Sequence, residues 1–377
     1  MSVAGGLVNA RAFASLRKHR NYRLYFAGQV VSLTGTWMQN VAMAWLVVTL
    51  SHSPIAVGVL ALCQFGPFAV LGLLGGVLTD RFDKRRTYMT TQALSMVLAV
   101  GLTVLTVTHL ATVWEVYLLA AVYGTILVVD NPARQAFTME MVGRQELPNA
   151  VALNSSLFNL SRIIGPAAGG LIIAGAGVAA CFAINAASFL AVLLCLALMR
   201  TDELFAPRGD GVRPRIFRGI AEGLVYSWRS SSIRTVLLML VFIAAVGMNF
   251  NVLLPVLTRH TLHAGPQVFG LLSAAFGGGA LVGALLSASR ATASIRVVVA
   301  SSLGFGLAML VLAPLHDVLA AALVLAAVGV CFSLYTSNSN SIIQLNSPDH
   351  LRGRVLSVYA YVFFGTAPLG GLLAGWL

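Results

Sequence analysis

GGVLTDRFDKRR, residues 75–86, closes a long apolar run with a knot of charge. Asp80, Arg81, Asp83, Lys84, Arg85 and Arg86 crowd into seven positions of a chain that is 10% charged and 58% hydrophobic. A soluble domain is about 25% charged and roughly 45–50% apolar. A mean hydropathy of +0.86 exceeds what one water-facing core can bury. The solvent for most of this chain is therefore lipid, and the knot reads as a polar turn between two membrane spans.

Working outward from that turn, apolar runs of the length a helix needs to cross a bilayer, about 20 residues, recur along the chain. They lie near 23–50, 54–79, 87–108, 112–137, 149–175, 178–199, 235–258, 266–288, 296–314, 317–345 and 355–377. The runs are continuous rather than alternating, which argues against a barrel. Backbone groups in lipid must satisfy one another within a segment, which leaves helices. The expected fold is an all-α integral membrane bundle with eleven visible spans. The first span follows a basic arm (Arg11, Arg17, Lys18, Arg20, Arg23) and is too long for a cleaved signal.

The net charge of +12 is distributed by side. Of the 24 Lys and Arg, Arg259 falls on the outer side and Arg162 inside a span; the rest lie at connections on the side of the N-terminus. This positive-inside pattern makes that side cytoplasmic. Basic residues scattered among short turns argue against a nucleic-acid partner. His52, His109, His260, His263 and His316 fall on the outer side and His19 and His350 inside, so none sits mid-span as a proton relay would require. Cys63, Cys181, Cys195 and Cys331 stand singly in apolar stretches and read as small hydrophobes.

The polar connection 200–234 carries Pro207, Gly209, Gly211, Pro214 and an amphipathic stretch, IFRGIAEGLVYSW (216–228), suited to a membrane surface. It separates a six-helix N-terminal half, 1–199, from a C-terminal half, 235–377, with five spans. The halves echo each other at an offset of about two hundred residues: LPNAV with GPAAGG (147–151, 165–170) against SPDHL with APLGG (347–351, 367–371). Such repeats belong to transporters with a site between the halves near the midplane. The symmetry predicts a twelfth span, so the C-terminal half reads as truncated at Leu377.

These residues resemble the major facilitator superfamily. GGVLTDRFDKRR is similar to its signature between helices two and three, G-x-L-x-D-R-x-G-R-K. Gly76, Leu78, Asp80, Arg81, Lys84 and Arg85 match in type, and Asp83 replaces the second glycine. SRIIGPAAGG (161–170) resembles the helix-five signature G-x-x-x-G-P-x-x-G-G associated with antiporters: Gly165, Pro166, Gly169 and Gly170 match, and Ser161 replaces a glycine. The stretches 21–47, PARQAF (132–137) and LPNAVALNSSLFNLSRIIGP (147–166) look like the bacterial efflux branch that includes the enterobactin exporter, the transmembrane secretion effector group. The resemblance implies alternating-access export of a siderophore-like or drug-like small molecule across the bacterial inner membrane. It also implies proton antiport and a monomer without cofactor or metal. An ion-coupled importer of a nutrient remains the alternative; a membrane enzyme or a non-transporting receptor ranks below it.

Individual residues carry sharper expectations. Asp80 ends its helix, where the helix dipole disfavours a carboxylate. Arg81, Lys84, Arg85 or the start of the eleventh span near Arg354 can compensate it. The group then forms a cytoplasmic gate with Gly76, or else only anchors topology. Asp130 lies inside span four, where a charge costs on the order of 2.5–3.5 kcal/mol. Its candidate partners are Arg134 at i+4, across Pro132, and Arg162 in span five. Arg162 can instead meet an anionic substrate. Asp130 is the leading candidate for proton coupling, with Arg134 and Arg162 as its charge relay. Gly165, Pro166, Gly169 and Gly170 favour a kink and close helix approach. Trp37, Gln39, Asn40, Asn154, Asn159, Asn249, Asn251, Asn338, Asn340 and Tyr361 supply polar and aromatic groups for a substrate cavity, or else hydrogen bonds between helices. No GxxxxGK[ST], HExxH or GxSxG is present, which argues against ATP and hydrolytic chemistry.

Overall fold

The computed structural model describes residues 13–205, 216–247, 250–288, 293–366 and 370–372. Their regular structure is helical throughout: α1 (Ala14–Lys18), α2 (Arg20–Ser51), α3 (Pro54–Asp80), α4 (Lys84–Val107), α5 (Val113–Ala176), α6 (Val178–Ala197), α7 (Ile216–Arg229), α8 (Ser231–Gly247), α9 (Phe250–Val256), α10 (Pro266–Ala288), α11 (Ile295–Leu312), α12 (Val318–Asn346) and α13 (Asp349–Gly365). A π turn, Leu257–Thr261, follows α9.

Side chains at the turns set the helix starts. Asp83, within the charge knot, caps α4 by accepting from the Arg86 N–H at 2.7 Å. Asp317 caps α12 through the Ala320 N–H at 2.8 Å. Thr112 and Glu115 form a reciprocal capping box at the start of α5.

The main departure from the expected layout is α5, which joins spans four and five in one helical run of 64 residues. Laid straight it would measure about 96 Å at 1.5 Å per residue. It breaks at Gly143, whose φ of 69° lies in the region glycine tolerates best. Asn154 donates to Thr138 Oγ1 at 3.4 Å across the break. In a straight helix residues sixteen apart would be separated by about 24 Å. The helix therefore doubles back, and its arms, 113–142 and 144–176, are two crossings.

Among the described residues seven helices, α5 counted once, are by themselves long and apolar enough to cross a membrane. α2 is not one of them, because polar residues run along it. The apolar parts of α8 and α13 are shorter, Ser231–Val241 and Arg354–Phe363. Apolar side chains face outward around the bundle, Val70 being 77% exposed and Trp114 78%. Water would penalise such a surface, and lipid accepts it.

The buried apolar groups are arranged unequally along the bundle axis. At the end away from the N-terminus, one continuous cluster joins early and late helices: Met43 and Val48 of α2, Val57 of α3, Val116 of α5, Phe269 and Phe276 of α10, and Leu325 and Phe332 of α12. At the N-terminal end there are two separate clusters. One gathers Tyr22, Tyr25, Tyr88, Phe137, Met141 and Leu196. The other gathers Ile233, Leu240, Val298, Tyr335, Ile343 and Val355. The helices are sealed together at one end and cohere only within their own sets at the other.

Two glycine contacts hold the sealed end close. A Cβ on Gly170 would stand 2.5 Å from the Gly270 Cα, so the second arm of α5 and α10 cross backbone to backbone. A Cβ on Gly165 would stand 2.5 Å from the Trp37 Cβ on α2. Both glycines belong to the helix-five signature.

Candidate transport site

The charge knot resolves into separate roles. Arg85 donates through Nε and an Nη to the Leu196 carbonyl at 3.2 and 2.6 Å. Arg20 donates to the Leu198 carbonyl at 3.1 Å, and Asn21 to the Arg200 carbonyl at 2.7 Å. Two cationic donors thus satisfy the carbonyl end of α6, where the helix dipole favours positive charge, and Asn21 holds the chain just beyond it. Lys84 Nζ donates to the Thr79 carbonyl at the end of α3. Arg81 is exposed. Of Gly76 and Asp80 only the backbone, at the end of α3, is described. Arg354 pairs with Glu222 of α7, and Tyr226 of α7 donates to the Asn346 carbonyl at 2.8 Å. The amphipathic connection helix is thereby docked on α12 and α13, with Leu224, Val225 and Trp228 still exposed on it.

Deeper in the bundle, Asp130 is buried at 4% exposure. Its Oδ1 accepts from Thr91 Oγ1 at 2.6 Å and from Gln92 Nε2 at 2.9 Å, both on α4. Neither expected cation pairs with it. Arg134 turns instead to Asn131 Oδ1 at 3.0 Å and Gln29 Oε1 at 3.4 Å. Arg134 also lines the interior and does not lie in a connection at the basic side, as its place in the charge count implied. Arg162 makes no ion pair among the described residues; its guanidinium stands 5.7 Å from the Trp37 ring centroid, 5.4 Å from Phe276 and 4.9 Å from Phe332. The expected Asp130–Arg162 pair does not form: Asp130 is bonded from α4, and the Arg162 guanidinium stands among rings from α2, α10 and α12.

Two cavities adjoin these residues. A cavity of about 180 Å³ is bounded by α2, α3, α4, α6 and both arms of α5, with Trp37, Asn40, Gln64, Tyr123 and Asp130 in its wall. A cavity of about 550 Å³ lies between α2 and the two arms of α5, with Tyr25, Thr138, Asn154, Ser155 and Asn159 in its wall. Gln29, Leu33, Arg134 and Phe158 line both and form the partition between them.

Of the residues expected in a substrate cavity, Trp37 and Asn40 fall in the smaller and Asn154 and Asn159 in the larger. Gln39 does not: it is buried and accepts from Asn185 Nδ2 at 2.8 Å, linking α2 to α6. Asn338 donates to Ser287 Oγ at 3.3 Å and Asn340 accepts from Gln344 at 3.4 Å, both away from the two cavities. Tyr361 donates to the Ala69 carbonyl at 2.8 Å, tying α13 to α3. Asn249 and the side chain of Asn251 lie outside the described residues. Residue type alone does not say which way a polar side chain points: neighbouring helices claim Gln39, Asn338 and Tyr361, and Asn340 bonds within its own helix.

Sequence reading passed over Gln29, Ser32 and Thr36 on α2, Gln64 on α3, and Tyr88, Gln92 and Ser95 on α4, all of which line the smaller cavity. Their spacing was the available signal. Positions 29, 32, 36 and 40 on α2, and 88, 92 and 95 on α4, recur at helical period within apolar spans. A polar stripe inside a membrane helix faces protein or water rather than lipid.

Solved transporters of the major facilitator type share this architecture. A bacterial homologue of the human lysosomal transporter Spinster, in an inward-facing and unoccupied conformation, superposes with a TM-score of 0.73 over 95% of this chain and 82% of its own, at 13% identity. By sequence, residues 10–377 match the family model described as transmembrane secretion effector, and the chain belongs to that family. It is 27% identical over 357 residues to the staphyloferrin A transporter of Staphylococcus aureus, covering 93% of this chain and 88% of that one. It is 29% identical over 351 residues to the multidrug efflux pump Tap of Mycolicibacterium fortuitum, covering 90% and 85%. The protein is a multi-pass membrane efflux transporter of the major facilitator superfamily, not an enzyme.

Proposed function

We propose that this chain exports a siderophore-like or drug-like organic molecule across the bacterial inner membrane in exchange for protons, as a monomer with its N-terminus in the cytoplasm. The 1–199 and 235–377 halves rock about a shared midplane site, joined by the 200–234 connection. One continuous apolar cluster at the far end and two at the N-terminal end suit a carrier closed outside and open inside.

The observation that carries proton coupling is the setting of Asp130. Its carboxylate lies in a cavity wall and its hydrogen bonds come from neutral groups, Thr91 and Gln92. Taking up a proton there breaks no salt bridge, so the two protonation states can alternate without unpairing a buried cation. Arg134, one turn along, supplies a nearby positive field while held by Gln29 and Asn131. Substrate reaches the partition through the larger cavity. The relatives named for staphyloferrin A and for multidrug efflux support the substrate classes.

The test is flux in proteoliposomes under an imposed pH gradient, with a panel of cationic dyes and iron chelators. Wild type dissipates the gradient in the presence of a transported compound, and Asp130→Asn does not, although it inserts and unfolds at a similar temperature. Gradient-driven transport by Asp130→Asn at the wild-type rate removes Asp130 from coupling. Accumulation of substrate in everted vesicles fixes the direction as export, and its absence returns the importer reading.

A further inference from the structure

Among the described residues Arg162 is the one cation well inside a span whose partners are all aromatic. It sits on the second arm of α5, and the three rings around its guanidinium come from α2 (Trp37), α10 (Phe276) and α12 (Phe332), at 4.9–5.7 Å. Phe276 and Phe332 belong to the cluster that seals the far end, and Met38 beside Trp37 belongs to it too. The charge therefore stands where the sealed cluster stops and the helix sets begin to separate. Asn159 and Phe158, one turn earlier on the same helix, line the larger cavity, and Phe158 meets Trp37 edge to face at 5.5 Å. Arg162 thus lies just past the inner end of that cavity, and it is partly exposed rather than sealed.

A guanidinium has two faces and an edge. Aromatic rings interact with its charge through their faces, and this geometry suits cation–π contact. The edge carries five N–H donors fixed in a plane. Among the described residues Arg162 donates none of them to an acceptor. A clamp between helices would need only the ring contacts, and a methionine or leucine would supply the packing without placing a charge in the span. The planar N–H edge suits an anion that accepts two parallel bonds, and the rings around it suit an apolar body.

We propose that Arg162, framed by Trp37, Phe276 and Phe332, is the carboxylate-recognition point of the transport pathway, and that it selects apolar or aryl carboxylates over their neutral analogues. The proposal rests on the transporter reading above and names the substrate class of that site. Because the rings come from helices on both sides of the 200–234 connection, a bound carboxylate also bridges α5, α10 and α12.

The experiment is equilibrium dialysis of the purified chain in lipid nanodiscs with 2-naphthoate and, separately, 2-naphthamide at neutral pH. The two probes share shape and differ in charge. Wild type retains naphthoate over naphthamide by about tenfold or more, the factor a charge-assisted bidentate pair supplies. Arg162→Gln brings the ratio to about one. Arg162→Lys, which keeps the charge without the planar fork, falls between. Phe332→Ala weakens both probes together. Equal retention of the two probes by wild type, retention of neither, or an undiminished ratio in Arg162→Gln overturns the proposal. If Arg162→Gln does not fold, the wild-type ratio and Arg162→Lys decide it. The dialysis needs no gradient, so its failure is separable from that of the transport reading. Coupled flux of a cationic dye without naphthoate preference sinks this inference alone. Naphthoate preference without coupled flux sinks proton exchange alone.

Discussion

Asp130 and Arg134 stand one helical turn apart on α5 and make no ion pair; Asp130 accepts from Thr91 and Gln92 on α4, while Arg134 reaches to Gln29 on α2. Pro132 lies between them and disturbs the local ladder. The consequence is a carboxylate and a guanidinium in one cavity wall, each held by neutral side chains. Opposite charges held apart in this way can respond separately to a proton and to a substrate, which a closed salt bridge resists.

Thr91→Val keeps the shape of the side chain and removes the 2.6 Å donor to Asp130. Loss of a hydrogen bond to a charged group costs about 1.5–3 kcal/mol. Thermal unfolding in detergent should show a clear fall in Tm, and Thr91→Ser should restore most of it. An unchanged Tm in Thr91→Val would mean that the bond contributes little.

Phe158 and Leu33 stand in the partition shared by the two cavities. Phe158→Ala opens a passage beside Arg134. A thiol introduced by Asn40→Cys in a background lacking the native cysteines should then react faster with a charged methanethiosulfonate reagent. Equal labelling rates with and without Phe158→Ala would show that the reagent reaches Asn40 by another route.

The crossing of Gly170 with Gly270 leaves no room for a side chain. Gly170→Ala forces the backbones apart and should destabilise the chain by about 1–3 kcal/mol, the usual range for overpacking. Gly175, whose added Cβ would meet nothing within 4 Å, is the control on the same arm. Gly175→Ala should leave Tm unchanged or raise it slightly, and the difference between the two variants isolates the crossing.

Arg85 and Arg20 converge on the carbonyl end of α6. Arg85→Ala leaves the Leu196 carbonyl without its cationic donor and should cost about 1–2 kcal/mol, within the range for charges at partly buried helix ends. Arg85→Lys should recover part of it. If Arg85 acts only through topology, insertion assays will change in Arg85→Ala while the Tm of the inserted fraction does not.

The Glu222–Arg354 pair docks α7 on α13 with both side chains more than a third exposed, 41% and 44%. Water and salt screen such a pair, so Glu222→Gln should cost less than about 1 kcal/mol. The difference from wild type should vanish in molar salt. A loss that persists at high salt would mean that α7 is held by packing around Gly223, where an added Cβ would meet Arg354 at 3.1 Å, more than by charge.

Much of the fold was legible before any coordinates. Continuous apolar runs mark helices in lipid, and among the described residues each of the eleven runs overlaps a helix, the last of them over 355–365. The helix-five glycines were legible as close-packing positions because small residues in a membrane helix have few other uses. The doubling of α5 was partly legible: the gap between the runs 112–137 and 149–175 promised a connection, but only the backbone at Gly143 makes it a break within one helical run. The partners of Asp130 and Arg162 were not legible. Helical spacing nominates a neighbour on the same helix, whereas Asp130 is bonded from α4 and Arg162 is framed by rings from α2, α10 and α12.

Composition and local spacing determine that this chain lives in lipid and folds as helices, because desolvation acts on each segment without reference to the others; they misplaced Arg134, which lines the interior. The pairing of the interior charges, the walls of the two cavities and the sealing of one end of the bundle depend on which helix faces meet. In lipid, where apolar surface is nearly indifferent to its neighbours, those meetings are decided by backbone approach at glycines and by hydrogen bonds between helices, and both exist only once the helices have packed.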